Sequence, residues 1–388
     1  MAEASGGVGV APHFHNSPIV GVKAYGWQWA DDHGLSMAQA ARRMASHGVD
    51  WALVQNLIDP LPGSAVAQVP PGGVYDDAGW VDELRTHGIR TYQSTAVTFA
   101  PEEFAAHPDL RPVSATGAVF EPFTWYYGIC PSSSDYLNRK LERFQEAVAT
   151  TRSDGVFLSF LRFPAFWEMW LPGMTRADIA EYCFCDRCTG LFEQRSGVSL
   201  PSTLPERGRV LTHELREAWT AFKCRLVGDV AVRFRNAALA LDPNIDVILN
   251  GFGLGGADFG NAVEEVLGQR FSELDRAIDH YELMFYFQIQ KRDPAAWIPR
   301  RVAEARAQTS RTVLACLQGG AEYLEDVYSD GGRAREITAD DWRAALRAVV
   351  ASGADGVLVY SWRDLLADEA AGGTRVRDLL AYRAGELA

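Results

Sequence analysis

The sequence predicts a (β/α)8 barrel, and three observations carry that expectation. Eight short apolar runs recur along the 388 residues, each ending in polar or aromatic residues. A helical pattern follows nearly every run, and strict alternation of strand and helix implies parallel strands covered by helices. No Gly-x-Gly-x-x-Gly follows the first run, so an open dinucleotide-binding sheet loses its main support. The GFGLGG at 251–256 lacks an acidic residue about 20 positions on and is read as a flexible loop.

The first run, 19–29 (IVGVKAYGWQW), leads to helical spacing over 37–49, where Gly48 suits a helix C-terminus. The second run is 50–59 (DWALVQNLID), with a helix over 78–89, and the third is 90–99 (RTYQSTAVTF). A helix from about 134 to 151 precedes the fourth run, 154–164 (DGVFLSFLRFP). A long amphipathic helix, about 213–241, leads to the fifth, 246–252 (DVILNGF). The last three are 281–290 (YELMFYFQIQ), 311–320 (RTVLACLQGG) and 356–365 (GVLVYSWRDL).

Residues 1–16 are rich in Gly, Ala and Ser, with no basic start or apolar stretch of a signal peptide. They read as a disordered tail on a single barrel domain, 17–388. Insertions at about 100–133 and 165–245 follow the third and fourth strands, where barrels carry functional loops. Both are expected to wall one side of an active-site mouth.

Lys plus Arg is 37 against 50 Asp plus Glu, a net charge of −13. Such acidity argues against nucleic acid as a partner. Eleven Trp, 13 Tyr and 19 Phe exclude a disordered chain, and no apolar run of about 18 residues predicts a membrane span. The expected partner is a small-molecule or carbohydrate substrate, the expected compartment the cytoplasm. A homo-oligomer is compatible with the composition.

Six cysteines in a cytoplasmic chain are expected as thiols rather than disulfides. Cys183, Cys185 and Cys188 lie within six residues, a crowding that favours a cation. Cys130, in the turn-like GICPSSSDYLN of the other insertion, is the natural fourth ligand. Four thiolates leave no open position, so the expected Zn2+ is structural. The alternatives are buried free thiols, as expected for Cys224 and Cys316, or a redox role.

The pairing of Cys-Pro-x-Ser…Tyr (Cys130, Pro131, Ser133, Tyr136) with Cys-x-Cys-x-x-Cys…Phe (Cys183, Cys185, Cys188, Phe192) resembles the zinc cluster of family 42 β-galactosidases. The stretch DGVFLSFLRFP, followed by CFCDRC, and the opening GVKAYGWQW also resemble a broader group of barrels known as hypothetical glycoside hydrolases. Their fourth strand reads Asp-Gly-(Ile/Val)-x-Leu-Asp-(Tyr/Phe)-Ile-Arg-(Phe/Tyr)-Pro. The specific motifs cover about 130–192, and the resemblance implies a TIM barrel, structural zinc and sugar-like substrates. It also implies carboxylates where this chain departs. The group's aspartate falls on Ser159, and the family 42 nucleophile at the end of strand seven falls on Gln318. The Asn-Glu expected at the end of strand four is missing.

Other carboxylates lie near the predicted mouth. Glu168, in PAFWEMW, has an aromatic setting that raises a carboxyl pKa for acid work, and Asp364 ends strand eight. Glu322 and Asp326 follow strand seven, whereas Glu282, at the start of strand six, is expected at the opposite end. Lys23 shares strand parity with Tyr25 and Trp27, all three facing the interior. A buried lysine needs a partner, Asp364 or Asp59, unless it anchors substrate or forms a Schiff base. Arg162 would hold a carboxylate or a sugar hydroxyl, or brace its loop. Aromatic residues at strand ends (Tyr25, Trp27, Trp29, Trp167, Trp170, Tyr286, Trp362) are joined by amides (Gln55, Asn56, Gln93, Asn250, Gln288, Gln318). The combination suits a neutral polyhydroxylated ligand.

These features predict a glycoside-hydrolase-like enzyme acting on a glycoside or sugar-bearing small molecule, with Glu168, Asp364, Lys23 and Arg162 as its catalytic candidates. The rivals are a barrel recruited for a lyase, rearrangement or Lys23 Schiff-base reaction, and a sugar-binding pseudoenzyme.

Overall fold

Eight parallel strands close into a barrel in chain order, each pairing with the next and the last with the first. They are β1 Ile19–Ala24, β2 Trp51–Val54, β3 Arg90–Ala96, β4 Gly155–Ser159, β5 Asp246–Phe252, β6 His280–Phe285, β7 Thr312–Gln318 and β8 Gly356–Tyr360. The computed structural model describes residues 17–26, 28–61, 76–322, 324–328 and 331–387. The tail expected at 1–16 lies outside the described residues. Helices on the outer face bury one side of each strand and side chains inside the barrel bury the other. The strands therefore read as continuous apolar runs rather than alternating ones.

Helix positions agree with the sequence patterns, because their ends carry local signals. The Met37–Ser46 helix opens on a capping box between Ser36 and Gln39, and Ser133 caps Ser134–Thr151. The long helix is Arg216–Leu239. Several strands are shorter than their apolar runs. After β6, Phe287–Gln290 forms a short buried helix, and after β8 a helix starts at Trp362. Apolar periodicity cannot separate a buried strand from the buried helical turn that continues it. The glycine-rich segment after β5 is packed rather than loose. The Trp297 indole donates to the Gly253 carbonyl at 2.8 Å, and a Cβ on Gly253 would stand 2.5 Å from the Met284 carbonyl oxygen.

One device recurs at the N-terminal end of the barrel. Asp50, Asp154, Asp279 and Asp355 precede the even-numbered strands, and each accepts a backbone N–H from the preceding odd strand. The donors are Val20, Thr91, Val247 and Val313, at 2.7–3.0 Å. An arginine on an outer helix meets each aspartate: Arg383 at 2.7 Å, Arg85 at 3.9 Å, Arg235 at 2.6 Å and Arg306 at 2.5 Å. The four aspartates thus tie strand to strand and barrel to helical shell.

The β1–β8 seam closes the barrel with Ile19 opposite Gly356. A Cβ at 356 would sit 2.3 Å from the Ile19 carbonyl oxygen and 2.6 Å from its Cβ. Gly356→Ala should therefore push the closing strands apart and destabilise the fold by about 1–3 kcal/mol, read by denaturant unfolding. An unchanged midpoint would mean that the seam is not tightly closed.

Candidate active site and four-cysteine cluster

A cavity of about 380 Å³ opens at the C-terminal end of the strands. Its floor is an ion pair. Lys23 Nζ from β1 lies 2.9 Å from Glu282 Oε1 on β6 and donates to the Tyr286 hydroxyl at 3.1 Å. Asn250 on β5 donates to Glu282 Oε2 at 2.5 Å. Lys23 is 3% exposed and Glu282 fully buried, so each charge depends on the other. Burial works against the Lys23 ammonium, but Cys316 and Glu282 face it and the net shift is upward. Burial also pushes the Cys316 thiol well up. Lys23 pairs with neither Asp364 nor Asp59. Asp59 instead binds Lys140. Glu282, expected at the opposite end, lies two residues into its strand, paired in register with Asn250 and within reach of the cavity floor.

The wall beside β4 is a tight turn. Phe160 adopts φ +52° in the left-handed region, and the Arg162 N–H donates to the Phe160 carbonyl at 2.9 Å. The Thr98 hydroxyl donates to the Arg162 carbonyl at 2.8 Å and also engages the Phe160 carbonyl. These bonds aim Arg162 across the cavity, its guanidinium 5.1–5.4 Å from the ring centres of Tyr126, Phe160 and Phe252. Strain held at such a turn is common at functional sites. Ser159 also lines the cavity, its hydroxyl donating to the Thr95 carbonyl at 3.0 Å.

Glu168 sits on the short helical turn Trp167–Met169 and is 7% exposed. Burial raises its carboxyl to about 7, against the opposing pull of Arg162, a backbone hydrogen bond and Arg333. Arg333 braces this turn, donating to the Glu168 carbonyl at 2.5 Å and the Ile289 carbonyl at 2.8 Å. Glu322 is a second lining carboxylate, raised by burial and by the charge of Asp364. Phe99, Trp125, Trp167, Tyr328 and Tyr360 complete much of the wall.

Of the site candidates, Lys23, Tyr25, Ser159, Arg162, Glu168, Asn250 and Tyr286 line this cavity together. Asp364 does not line it; it caps its own helix, accepting from the Ser361 N–H at 2.8 Å and hydroxyl at 2.9 Å. The remaining amides are buried outside the lining. Gln318 accepts from the N–H groups of Gln288 and Ile289 at 3.2 and 3.4 Å, and Gln288 donates to the carbonyls of Glu322 and Ala334. Gln93 donates to the Ser94 carbonyl, and Asn56 accepts from the Asp59 N–H. Gln55 is buried at the end of β2, and Trp362 donates to His47 at 3.3 Å. Trp27 lies outside the described residues.

The four cysteines do converge. Cys130 from the loop after β3 meets Cys183, Cys185 and Cys188 from the loop after β4, with all four sulfurs within 4.8 Å of one another. Cys130 Sγ lies 3.7 Å from Cys185 Sγ and 3.4 Å from Cys188 Sγ. A disulfide needs about 2.05 Å, whereas tetrahedral sulfurs about 2.3 Å from one ion stand roughly 3.8 Å apart. Burial pushes the Cys183 thiol up and its three thiol neighbours push Cys188 up, whereas hydrogen bonds from neighbouring thiols pull Cys185 and Cys130 down. The donor set and spacing fit a soft tetrahedral metal. All six cysteines are free thiols, with Cys224 and Cys316 buried elsewhere.

No protein-family model and no curated protein matches this chain. Solved structures do match, glycoside hydrolases among them. The PgaB (BpsB) glycoside hydrolase domain from Bordetella bronchiseptica superposes with a TM-score of 0.65 at 15% identity, over 92% of this chain and 98% of that one. Gan42B, a GH42 β-galactosidase from G. stearothermophilus, gives a TM-score of 0.64 at 13% identity, over 96% of this chain and 57% of that one. A β-galactosidase from the Antarctic haloarchaeon Halorubrum lacusprofundi gives 0.62 at 15% identity, over 89% and 52%. The chain spans little more than half of those β-galactosidases. At such identity the likeness is one of fold.

Removing one member of the floor pair strands the other charge. Lys23→Met should cost about 3–5 kcal/mol in chemical denaturation, and Lys23→Met combined with Glu282→Gln should recover much of it. A loss in the double variant equal to the sum of the two single losses would show that the two residues act independently.

Proposed function

We propose that this barrel is a glycoside-hydrolase-like enzyme acting on a glycoside or sugar-bearing small molecule, with Glu168 as proton donor. The observation that carries this reading is a buried carboxyl poised near neutrality in a cavity walled by aromatic rings. A general acid must hold its proton at working pH and release it to the departing oxygen, which a carboxyl near 7 does well. Glu322 supplies the second carboxylate that glycoside hydrolysis requires. Asp364, engaged as a helix cap, is better suited to support Glu322 through its charge than to reach substrate. The aromatic walls suit the apolar faces of sugar rings.

Two rival readings weigh differently. A Schiff base at Lys23 needs a neutral amine, and the pair with Glu282 works against one. A sugar-binding protein without turnover is favoured by Ser159 and Gln318, which stand where the resembled families carry carboxylates. Binding with no product on long incubation would support it.

Glu168→Gln should lower turnover at least about 100-fold while leaving sugar binding largely intact. Because the pKa is raised, the active protonated form predominates below about 7. Activity should fall as pH rises through that value, and the limb should vanish from the residual activity of the variant. Turnover unaffected by this change would remove Glu168 from the mechanism.

The cysteine cluster is proposed to hold structural Zn2+ through Cys130, Cys183, Cys185 and Cys188. Metal analysis should find about one zinc per chain, and Cys188→Ser should abolish it and lower the melting temperature. Metal-free protein with four freely titrating thiols there would refute the assignment.

A further inference from the structure

Resting on the hydrolase reading, we infer that the substrate carries a carboxylate, as a uronic acid does, and that Arg162 receives it. Arg162 is 97% buried by its 3% exposure, yet no carboxylate of the described residues comes within 4.0 Å of it. Its Nε is buried without a hydrogen-bond partner. The Tyr126 hydroxyl is a polar neighbour, and Glu168 feels the guanidinium charge from beyond ion-pair distance. A buried cation without a counter-ion is costly. Here it is also held in place: the Phe160 turn and Thr98 fix its backbone, and three aromatic rings flank its guanidinium. Rings satisfy the faces of a guanidinium, while its N–H donors lie in the plane and stay available.

Charge counting narrows the ligand. Among the lining residues Lys23 is neutralised by Glu282; the nearby Arg333, outside the lining, donates its Nε and Nη2 to two carbonyls and keeps Nη1 unpartnered. Arg162 is the lining guanidinium without an ion-pair partner among the described residues, and with the Glu322 carboxyl also in the lining it matches at most a monoanion. A planar carboxylate can take two parallel N–H bonds from its fork. A phosphate dianion would stay half-compensated. The amides that would read a neutral sugar point the same way, because Gln93, Gln288 and Gln318 bond to neighbouring backbone or to one another outside the lining.

The test is calorimetric binding of free D-glucuronate, D-galacturonate and D-mannuronate against D-glucose, D-galactose and D-mannose, with D-glucose 6-phosphate and 6-sulfate as tetrahedral anions. Free sugars present both anomers, so no stereochemistry need be assumed. At least one uronate should bind about tenfold or more tightly than its neutral parent, as expected for a charge-assisted pair. Arg162→Gln should erase that preference and Arg162→Lys retain part of it, with melting temperatures confirming that both variants fold. The inference is overturned if no uronate outbinds its parent, if phosphate or sulfate is preferred, or if the preference survives in Arg162→Gln. Release of nitrophenol from 4-nitrophenyl glucuronides and glucosides separates the two readings. Uronate binding through Arg162 without any turnover would keep the carboxylate site and sink hydrolysis. Turnover of neutral glycosides with no uronate preference would do the reverse.

Discussion

A lysine and a glutamate inside a closed barrel are tolerable only together, and much of the cavity is arranged around that constraint. Neither charge reaches bulk water, so the pair must satisfy its remaining valences within the protein. Asn250 takes the second Glu282 oxygen, and Tyr286 takes a Lys23 proton. Phe157, Tyr286 and Tyr360 present rings 5.1–5.7 Å from the ammonium. Five strands or strand ends are thereby committed to one polar knot. The pair with Glu282 favours the charged form of the lysine.

The two ends of the barrel divide their labour. At the N-terminal end, four aspartates join strand N–H groups to arginines of the outer helices, an arrangement that concerns stability. At the C-terminal end, the loops after β3 and β4 are long and would be costly to order. The converging cysteines join those loops, one thiol from the first and three from the second. Arg187 reinforces the junction by donating to Ser132 at 3.1 Å and to the Asp109 carbonyl at 3.0 Å. Trp125 and Glu168, which wall the cavity, are carried by these same two loops. With the proposed metal bound, the cluster would stabilise the cavity wall from a distance.

The architecture was legible because strand and helix periodicities alternate so regularly, and because the cysteine spacing has few uses other than metal. The site was legible by residue type more than by role. Glu168, Arg162 and Lys23 stand out as charges set in apolar stretches, and all three line the cavity. The partner of Lys23 was not, because strand six begins at His280, one residue earlier than its apolar run suggests. Glu282 therefore lies deeper than its position in the run implies. A lone acid in YELMF and a lone lysine in IVGVKA are the only trace such a pair leaves. The amides misled for another reason. An amide at a strand end serves a loop backbone as readily as a ligand, and only the fold of the loop decides.

That distinction bears on the missing carboxylates. Position 318 is fully buried and faces the N–H groups of residues 288 and 289, so the side chain there shapes the short helix after β6. Its amide also donates to Gln288 at 3.1 Å, a bond a carboxylate could not make. Ser159 spends its hydroxyl on the Thr95 carbonyl beside it. Both positions have been absorbed into the scaffold rather than left vacant. On the proposed reading, acid–base chemistry in this cavity falls to Glu168 and Glu322, which belong to the loops. A carboxylate on a loop is aimed by what braces that loop, here Arg333 and the packing of Trp167 against Phe252 and Tyr286. In this barrel the precision ordinarily supplied by strand ends has to come from those contacts.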